Sequence, residues 1–145
     1  MKNFTEVLGG MLWAIRSWEQ WEDLLTFLEG DAANGWYVYF VGQELPKTPL
    51  DESHFRRVLG ALDSLLRHDH RERYLGIVYV DDRESPSLVK IYDPNNLGAS
   101  CGSSGKWIPP GWILSRMPPA PVAGPPVIPE GRLRWWRELF SERGA

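Results

Sequence analysis

FRRVLGALDSLLRHDHRERYLGIVYVDDRESPSLVKIY, residues 55–92, is the stretch that decides the fold. Its first part places apolar residues at three- and four-residue spacing, which marks the buried face of an amphipathic helix. These residues are Phe55, Val58, Leu59, Leu62, Leu65 and Leu66. Two runs rich in β-branched and aromatic residues follow, 74–80 and 88–92, joined by a short polar segment. The stretch therefore predicts a long helix followed by a β-hairpin.

Upstream of this stretch we predict two more helices and one strand. The first helix spans residues 4–15, because its apolar residues keep helical spacing, although Gly9 and Gly10 weaken its middle. Ser17 and Gln20 form a capping-box pattern at the start of a second helix, which ends at Gly30. Residues 36–41, WYVYFV, have strand composition.

The third helix is predicted to begin with Pro49 at its first position. Downstream, residues 112–117 predict another strand, and the prolines of residues 118–129 exclude helix and central strand. Residues 131–142 return to helical composition. This order predicts an α+β two-layer sandwich, with helices on one face of a mainly antiparallel sheet. We divide the chain into an α+β domain (1–117), a proline-rich extended segment (118–130) and a C-terminal helix (131–145).

Composition narrows the class of protein. The 145 residues are 43% hydrophobic and 24% charged, which is typical of a folded globular domain. A net charge of −3 argues against nucleic acid as a partner. A single cysteine cannot form an intrachain disulfide, and no apolar run has the length of a membrane span. We therefore expect a cytoplasmic protein that neither binds nor spans a membrane.

The loop from Asp93 to Lys106 is the first candidate site. It holds Cys101 among glycines and serines, and such backbone can approach a ligand closely. The candidate ligand-binding residues are Asn95, Asn96, Ser100, Cys101 and Lys106. A small enzyme or ligand-binding protein that uses this loop, with Cys101 or a histidine, is the alternative function.

Two further patterns in the sequence are weaker. Gly105-Lys106 suggests a phosphate loop, but Trp107 stands where that motif needs serine or threonine. His68-Asp69-His70 offers metal-binding side chains, yet a charged helix end explains it more simply. We assign no catalytic residue, metal or cofactor.

Tryptophans provide the second candidate site. Of the 8 in the chain, several lie in or beyond the loop and the proline-rich segment, where burial in the domain is harder. Tryptophan and arginine are enriched in interface hot spots. The candidate partner-binding residues are Trp107, Trp112, Arg132, Trp135 and Arg137. The alternative is that the C-terminal helix packs on its own domain as an intramolecular latch. We predict that Trp136 packs on the parent domain or on a symmetry mate, and that Trp135 is the more exposed of the pair.

The run VKIYDPNNLGASCGSSGKWIPPGWILSRMPP, residues 89–119, resembles small uncharacterised accessory proteins of nitrogen-fixing proteobacteria. This resemblance implies an accessory or regulatory partner of a larger enzyme system. Our leading hypothesis is accordingly a protein-binding or regulatory module. It would dock on a larger protein through the Gly/Ser loop, the tryptophans and the C-terminal helix, and homo-oligomerisation is left open.

Overall fold

The computed structural model describes residues 2–96 and 108–141. Five strands form one open sheet in which every neighbouring pair is antiparallel. The strands are β1 (Trp13–Ser17), β2 (Tyr37–Phe40), β3 (Tyr74–Val80), β4 (Leu88–Ile91) and β5 (Trp112–Ser115). Their spatial order is β1-β3-β4-β5-β2, so β1 and β2 are the two edges of the sheet.

The described helices complete an α+β fold, as the sequence predicts. They are α1 (Phe4–Leu8), α2 (Trp18–Gly30), α3 (Glu52–Asp69) and α4 (Arg132–Leu139), with a short 3-10 helix at Pro94–Asn96. None of the helices in the described ranges is both long and apolar enough to cross a bilayer.

The main core lies between the sheet and the two long helices. Helix α3 contributes the apolar face predicted from its spacing, and both Leu59 and Leu62 are fully buried. Trp21 and Leu28 of α2 join them, together with alternate residues of the strands. The predicted long helix and the β-hairpin after it are both confirmed.

A smaller apolar cluster lies apart from the main core. Its buried residues come from α1, from strands β2, β4 and β5, and from the residue that follows β2; they are Phe4, Tyr39, Val41, Leu88 and Ile113. Side chains of α1 and of the first part of the proline-rich segment pack against it. The start of that segment is thereby fixed to the domain.

The prediction of one helix over residues 4–15 is wrong. Helix α1 ends at Leu8, and the chain then forms the edge strand β1. The cap at Gly9 and the second glycine at Gly10 separate these two elements. Glycine loses more conformational entropy in a helix than any other residue, so two consecutive glycines end the helix even though the apolar spacing continues.

Two helix starts illustrate how capping sets boundaries. The capping box of Ser17 and Gln20 is present at the start of α2, as predicted. Helix α3 does not begin at Pro49, as the sequence suggested, but at Glu52. Asp51 is its N-cap, because its carboxylate accepts the N–H of His54 at 2.8 Å.

Candidate functional site

A buried ion cluster lies at the start of the Gly/Ser loop. Nε of Arg132 is 2.8 Å from Oδ2 of Asp93, and Nη2 of Arg132 is 2.5 Å from Oδ2 of Asp69. Asp93 is 3% exposed and Arg132 is 9% exposed. Burial lowers the pKa of Arg132, but the hydrogen bonds to the two carboxylates outweigh it and the net pKa is raised. The cluster therefore holds α4 against the end of β4.

The candidate ligand-binding asparagines are used within the fold. Nδ2 of Asn96 donates to the carbonyl of Val127 at 2.7 Å, which ties the proline-rich segment to the loop. The N–H of Asn95 donates to Oδ1 of Asp93 at 2.9 Å. The other candidates in this group, Ser100, Cys101 and Lys106, lie outside the described residues. The side chain of Asn96 thus has a structural partner, whereas the side chain of Asn95 is exposed and lies 3.5 Å from Oδ2 of Asp69.

The aromatic face of α4 packs on its own domain. The ring centroids of Trp135 and Trp112 are 5.6 Å apart, and those of Trp136 and Phe40 are 5.3 Å apart. The guanidinium of Arg57 donates to the carbonyl of Leu139 at 3.0 Å. The predicted packing of Trp136 is present, but Trp135 also packs on the domain instead of being presented to a partner.

Two of the predicted partner-binding residues need correction. Trp112 is fully buried, and the guanidinium of Arg132 is enclosed by Asp93 and Asp69. Neither side chain is available to a second protein in this structure. Arg137 is exposed on α4 and stays a prediction, and Trp107 lies outside the described residues.

The histidine pair at the C-terminal end of α3 shows no metal-binding geometry. Nδ1 of His68 is 2.6 Å from Oδ1 of Asp69, and Nε2 of His70 is 3.0 Å from the carbonyl of Tyr74. Burial raises the pKa of Asp69, but hydrogen bonds from His68 and Arg132 outweigh it and the net pKa is lowered. Within residues 2–96 and 108–141, no three metal-binding side chains lie close enough together to hold an ion.

An open groove, which we call the Trp13 groove, runs beside edge strand β1. Its volume is about 490 Å³, within the usual range of binding sites. Its apolar lining comes from β1, α2, the end of β3 and Pro86. Its charged lining residues are Arg16, Asp23, Arg83 and Glu84. The guanidinium of Arg83 lies 4.1 Å from the centre of the Trp13 ring. None of the four charged side chains forms an ion pair within the described chain.

The direction of the β1 backbone follows from the hydrogen bonds of the sheet. Tyr92 donates its N–H to the carbonyl of Ile77 at 2.9 Å, so the backbone of Ile77 faces β4. Successive residues of a strand direct their backbone groups to opposite sides. Val78 therefore faces β1, where its partner is Ile15. Ile15 in turn must direct its own N–H and C=O inward, to β3.

By the same alternation, Ala14 and Arg16 direct their backbone groups away from the sheet. The N–H of Arg16 donates to Oε1 of Gln20 at 2.7 Å, so a side chain of α2 already covers this position. By this alternation the Ala14 N–H and C=O have no partner in β3, and no hydrogen bond outside the helices and strands of the described chain involves them. The open part of the β1 edge is thus short, and Ala14 is its centre.

Exposed apolar side chains concentrate at the same edge. Met11 is 77% exposed, Trp13 is 40% exposed, and Tyr74, which lies opposite Ser17 of β1, is 59% exposed. Sequence reasoning missed this surface because it placed residues 11–15 in a helix. The signal that could have found it is the Gly9-Gly10 break before a run that ends in Trp13, Ala14 and Ile15.

Comparison with known proteins gives no further information about the function of the chain. No protein-family model, no curated protein and no solved structure matches the chain. The functional argument therefore depends on the geometry of the chain itself.

Proposed function

We propose that the chain is a small protein-binding module with an accessory or regulatory role, and that it associates through the Trp13 groove and the open edge of β1. The observation that carries this proposal is the coincidence of three features at one place. These are the unpartnered backbone of Ala14, the exposed side chains of Met11 and Trp13, and a groove of about 490 Å³.

The physical reason is the cost of leaving such an edge uncovered. Unpaired strand edges are templates for another chain, and proteins usually protect them with charges, prolines or covering segments. Gln20 covers the position of Arg16, but nothing in the described chain covers Ala14. An extended segment that pairs with Ala14 would also cover Trp13 and Ile15, so backbone bonds and apolar burial would act together.

This proposal moves the docking surface away from the C-terminal helix. Trp112, Trp135 and Arg132 pack within the domain, which supports the intramolecular alternative for α4. A role beside a larger enzyme system, which the resemblance implies, and a cytoplasmic location stay proposals. In the described part of the Asp93–Lys106 loop the side chain of Asn96 is engaged in a structural hydrogen bond and that of Asn95 is exposed, so the ligand-binding alternative stays a prediction.

Site-specific photo-crosslinking tests the proposal. A photoreactive amino acid is placed at Met11, beside the groove, and at Lys47 as an exposed control position away from β1. Each variant is expressed in the native cell and irradiated, and the crosslinked products are identified by mass spectrometry. A third variant combines the Met11 probe with Trp13→Ser, which removes the exposed indole of the groove.

We expect a discrete protein adduct from position 11, none from position 47, and loss of the adduct with Trp13→Ser. Adducts from position 11 and position 47 in equal yield would contradict the proposal, as would an adduct from position 11 that is insensitive to Trp13→Ser.

A further inference from the structure

We propose that the face of the sheet away from the main core binds a small oxyanion, the carboxylate or phosphate of a small ligand, at the amino group of Lys90. The neighbours of Lys90 in β4, Val89 and Ile91, both belong to the main core. Successive side chains of a strand point to opposite faces, so Lys90 lies on the other face. Its partner across the sheet, Ile113, belongs to the smaller cluster on that face.

The ammonium group of Lys90 has no counter-ion among the described residues. It forms neither an ion pair nor a hydrogen bond with any side chain or backbone group in residues 2–96 or 108–141. Burial lowers the pKa of Lys90 from its ordinary value of 10.5, and no charged group of the described chain opposes that shift. Proteins seldom withdraw a charge from water without giving it a partner. A bound anion would supply that partner.

Two tyrosine rings flank the amino group. Nζ of Lys90 lies 5.0 Å from the centre of the Tyr79 ring and 5.2 Å from that of Tyr92. The two rings meet edge to face, with their centroids 6.1 Å apart. Ring faces attract the ammonium charge, but they offer no carboxylate or carbonyl oxygen to its three N–H donors. Oxygen atoms of a ligand would satisfy those donors.

The tyrosine hydroxyls add a second donor to the site. The Tyr79 hydroxyl donates to the carbonyl of Gly76 at 3.3 Å, whereas that of Tyr92 has no hydrogen-bond partner within the described chain. Burial raises the pKa of Tyr92, and burial together with the nearby Tyr92 and Tyr74 raises the pKa of Tyr79. Both phenols therefore stay protonated at neutral pH, so Tyr92 can donate to an oxyanion held by Lys90. Lys90, Tyr79 and Tyr92 are all partly exposed, which leaves the site open to a small ligand.

NMR titration of the full chain tests the site, with sodium phosphate and sodium acetate as the two probes. Lysine labelled with ¹³C reports the Lys90 side chain, and the exposed Lys47 is the internal reference. At pH 7 and constant ionic strength, set with sodium chloride, we expect a saturable change at Lys90 with a dissociation constant of about 1 mM, and none at Lys47. At ten times that concentration the pKa of Lys90 should rise by about one pH unit, because the anion binds the ammonium form.

Variants identify the groups that hold the anion, with binding followed through the backbone amide signal of Ile91. Lys90→Gln should abolish the saturable change, and Lys90→Arg, which keeps the charge, should retain it. Tyr92→Phe keeps the ring and removes the hydroxyl, so the dissociation constant should rise about tenfold. Tyr37→Phe, in β2 at an edge of the sheet, is the matched control and should bind like the wild type. Circular dichroism checks that each variant is folded.

The outcomes decide for or against the site. Saturation by either probe, lost with Lys90→Gln, supports it, and the probe that binds more tightly identifies the class of ligand. Changes that do not saturate, or that are equal at Lys90 and Lys47, would reflect charge screening only and would overturn the inference. Saturable binding that survives Lys90→Gln would overturn it as well. None of these results bears on the Trp13 groove, which the crosslinking from position 11 tests separately.

Discussion

Replacement of Arg132 by methionine tests whether α4 is part of the folded domain. The change removes the guanidinium that binds Asp93 at 2.8 Å and Asp69 at 2.5 Å, and it leaves the 3% exposed Asp93 carboxylate without a cation. Breaking a buried ion pair by removing one partner costs about 3–5 kcal/mol. Asp69 keeps some contact with water, with 16% of its side chain exposed, so we expect the lower end, about 3 kcal/mol.

The measurement is urea denaturation followed by tryptophan fluorescence, with the midpoint and slope compared to wild type. For a chain of this size the same loss should lower the melting temperature by about 10 °C. Arg134→Met is the matched control, because Arg134 is exposed on the same helix and should change the free energy of unfolding by less than about 0.5 kcal/mol. Equal midpoints for the two variants would refute the argument that the cluster holds α4.

Three further predictions concern other parts of the chain. Leu62→Ala creates a cavity at a fully buried position and should cost about 2–5 kcal/mol, measured as a lower denaturation midpoint with unchanged fold. Cys101→Ser should leave partner association intact, measured by sedimentation and crosslinking, because we assign no thiolate chemistry to Cys101. Complete loss of activity in a folded Cys101→Ser variant would favour the enzyme alternative. Hydrogen bonds from the His54 N–H and side chain, with one from Ser53, lower the pKa of Asp51 from 3.8 to about 2. Because the ionised Asp51 carboxylate is stabilised only in the folded chain, it contributes to stability above pH 3.8, the pKa of an ordinary Asp side chain. This contribution is lost as the pH falls through about 2, the pKa of Asp51 in the folded chain. The stability difference between wild type and Asp51→Ala should therefore shrink over that pH range, and a constant difference would contradict the capping role.

The sequence predicted the helices and strands in which the local pattern of apolar and capping residues agrees with the packing of the folded chain. Helix α3 has an uninterrupted apolar face, and the runs that become β3 and β4 are joined by a short polar connection. In such segments the spacing of apolar residues alone determines which face is buried. The capping box at Ser17 was equally predictable, because its two hydrogen bonds are local to four residues.

Edge strand β1 could not be predicted from spacing, because its apolar residues happen to continue the helical spacing of α1. Its strand conformation depends on pairing with β3, which is distant in the sequence. Trp13 is 40% exposed there, so its hydrophobic character does not indicate which side of the strand faces the core. Partner surfaces at sheet edges are hard to predict for this reason.

The ion cluster was missed for a related reason. Asp69, Asp93 and Arg132 lie in three separate segments, and each residue has an adequate local explanation as a helix-end or turn residue. Only the folded chain brings them together. Arginine beside tryptophan on α4 was therefore interpreted as a partner-binding composition, when it in fact closes the domain.

Amide hydrogen exchange at Ala14 tests the central claim most directly, with Ile15 as the internal reference. The Ile15 amide faces β3 and should be protected at every protein concentration, whereas the Ala14 amide is unpartnered in the single chain. We predict that the protection of Ala14 rises as the chain associates through β1, in step with the increase in mass, while that of Ile15 stays constant. An Ala14 amide that exchanges rapidly in the associated protein, or in the complex captured through position 11, would contradict docking at this edge.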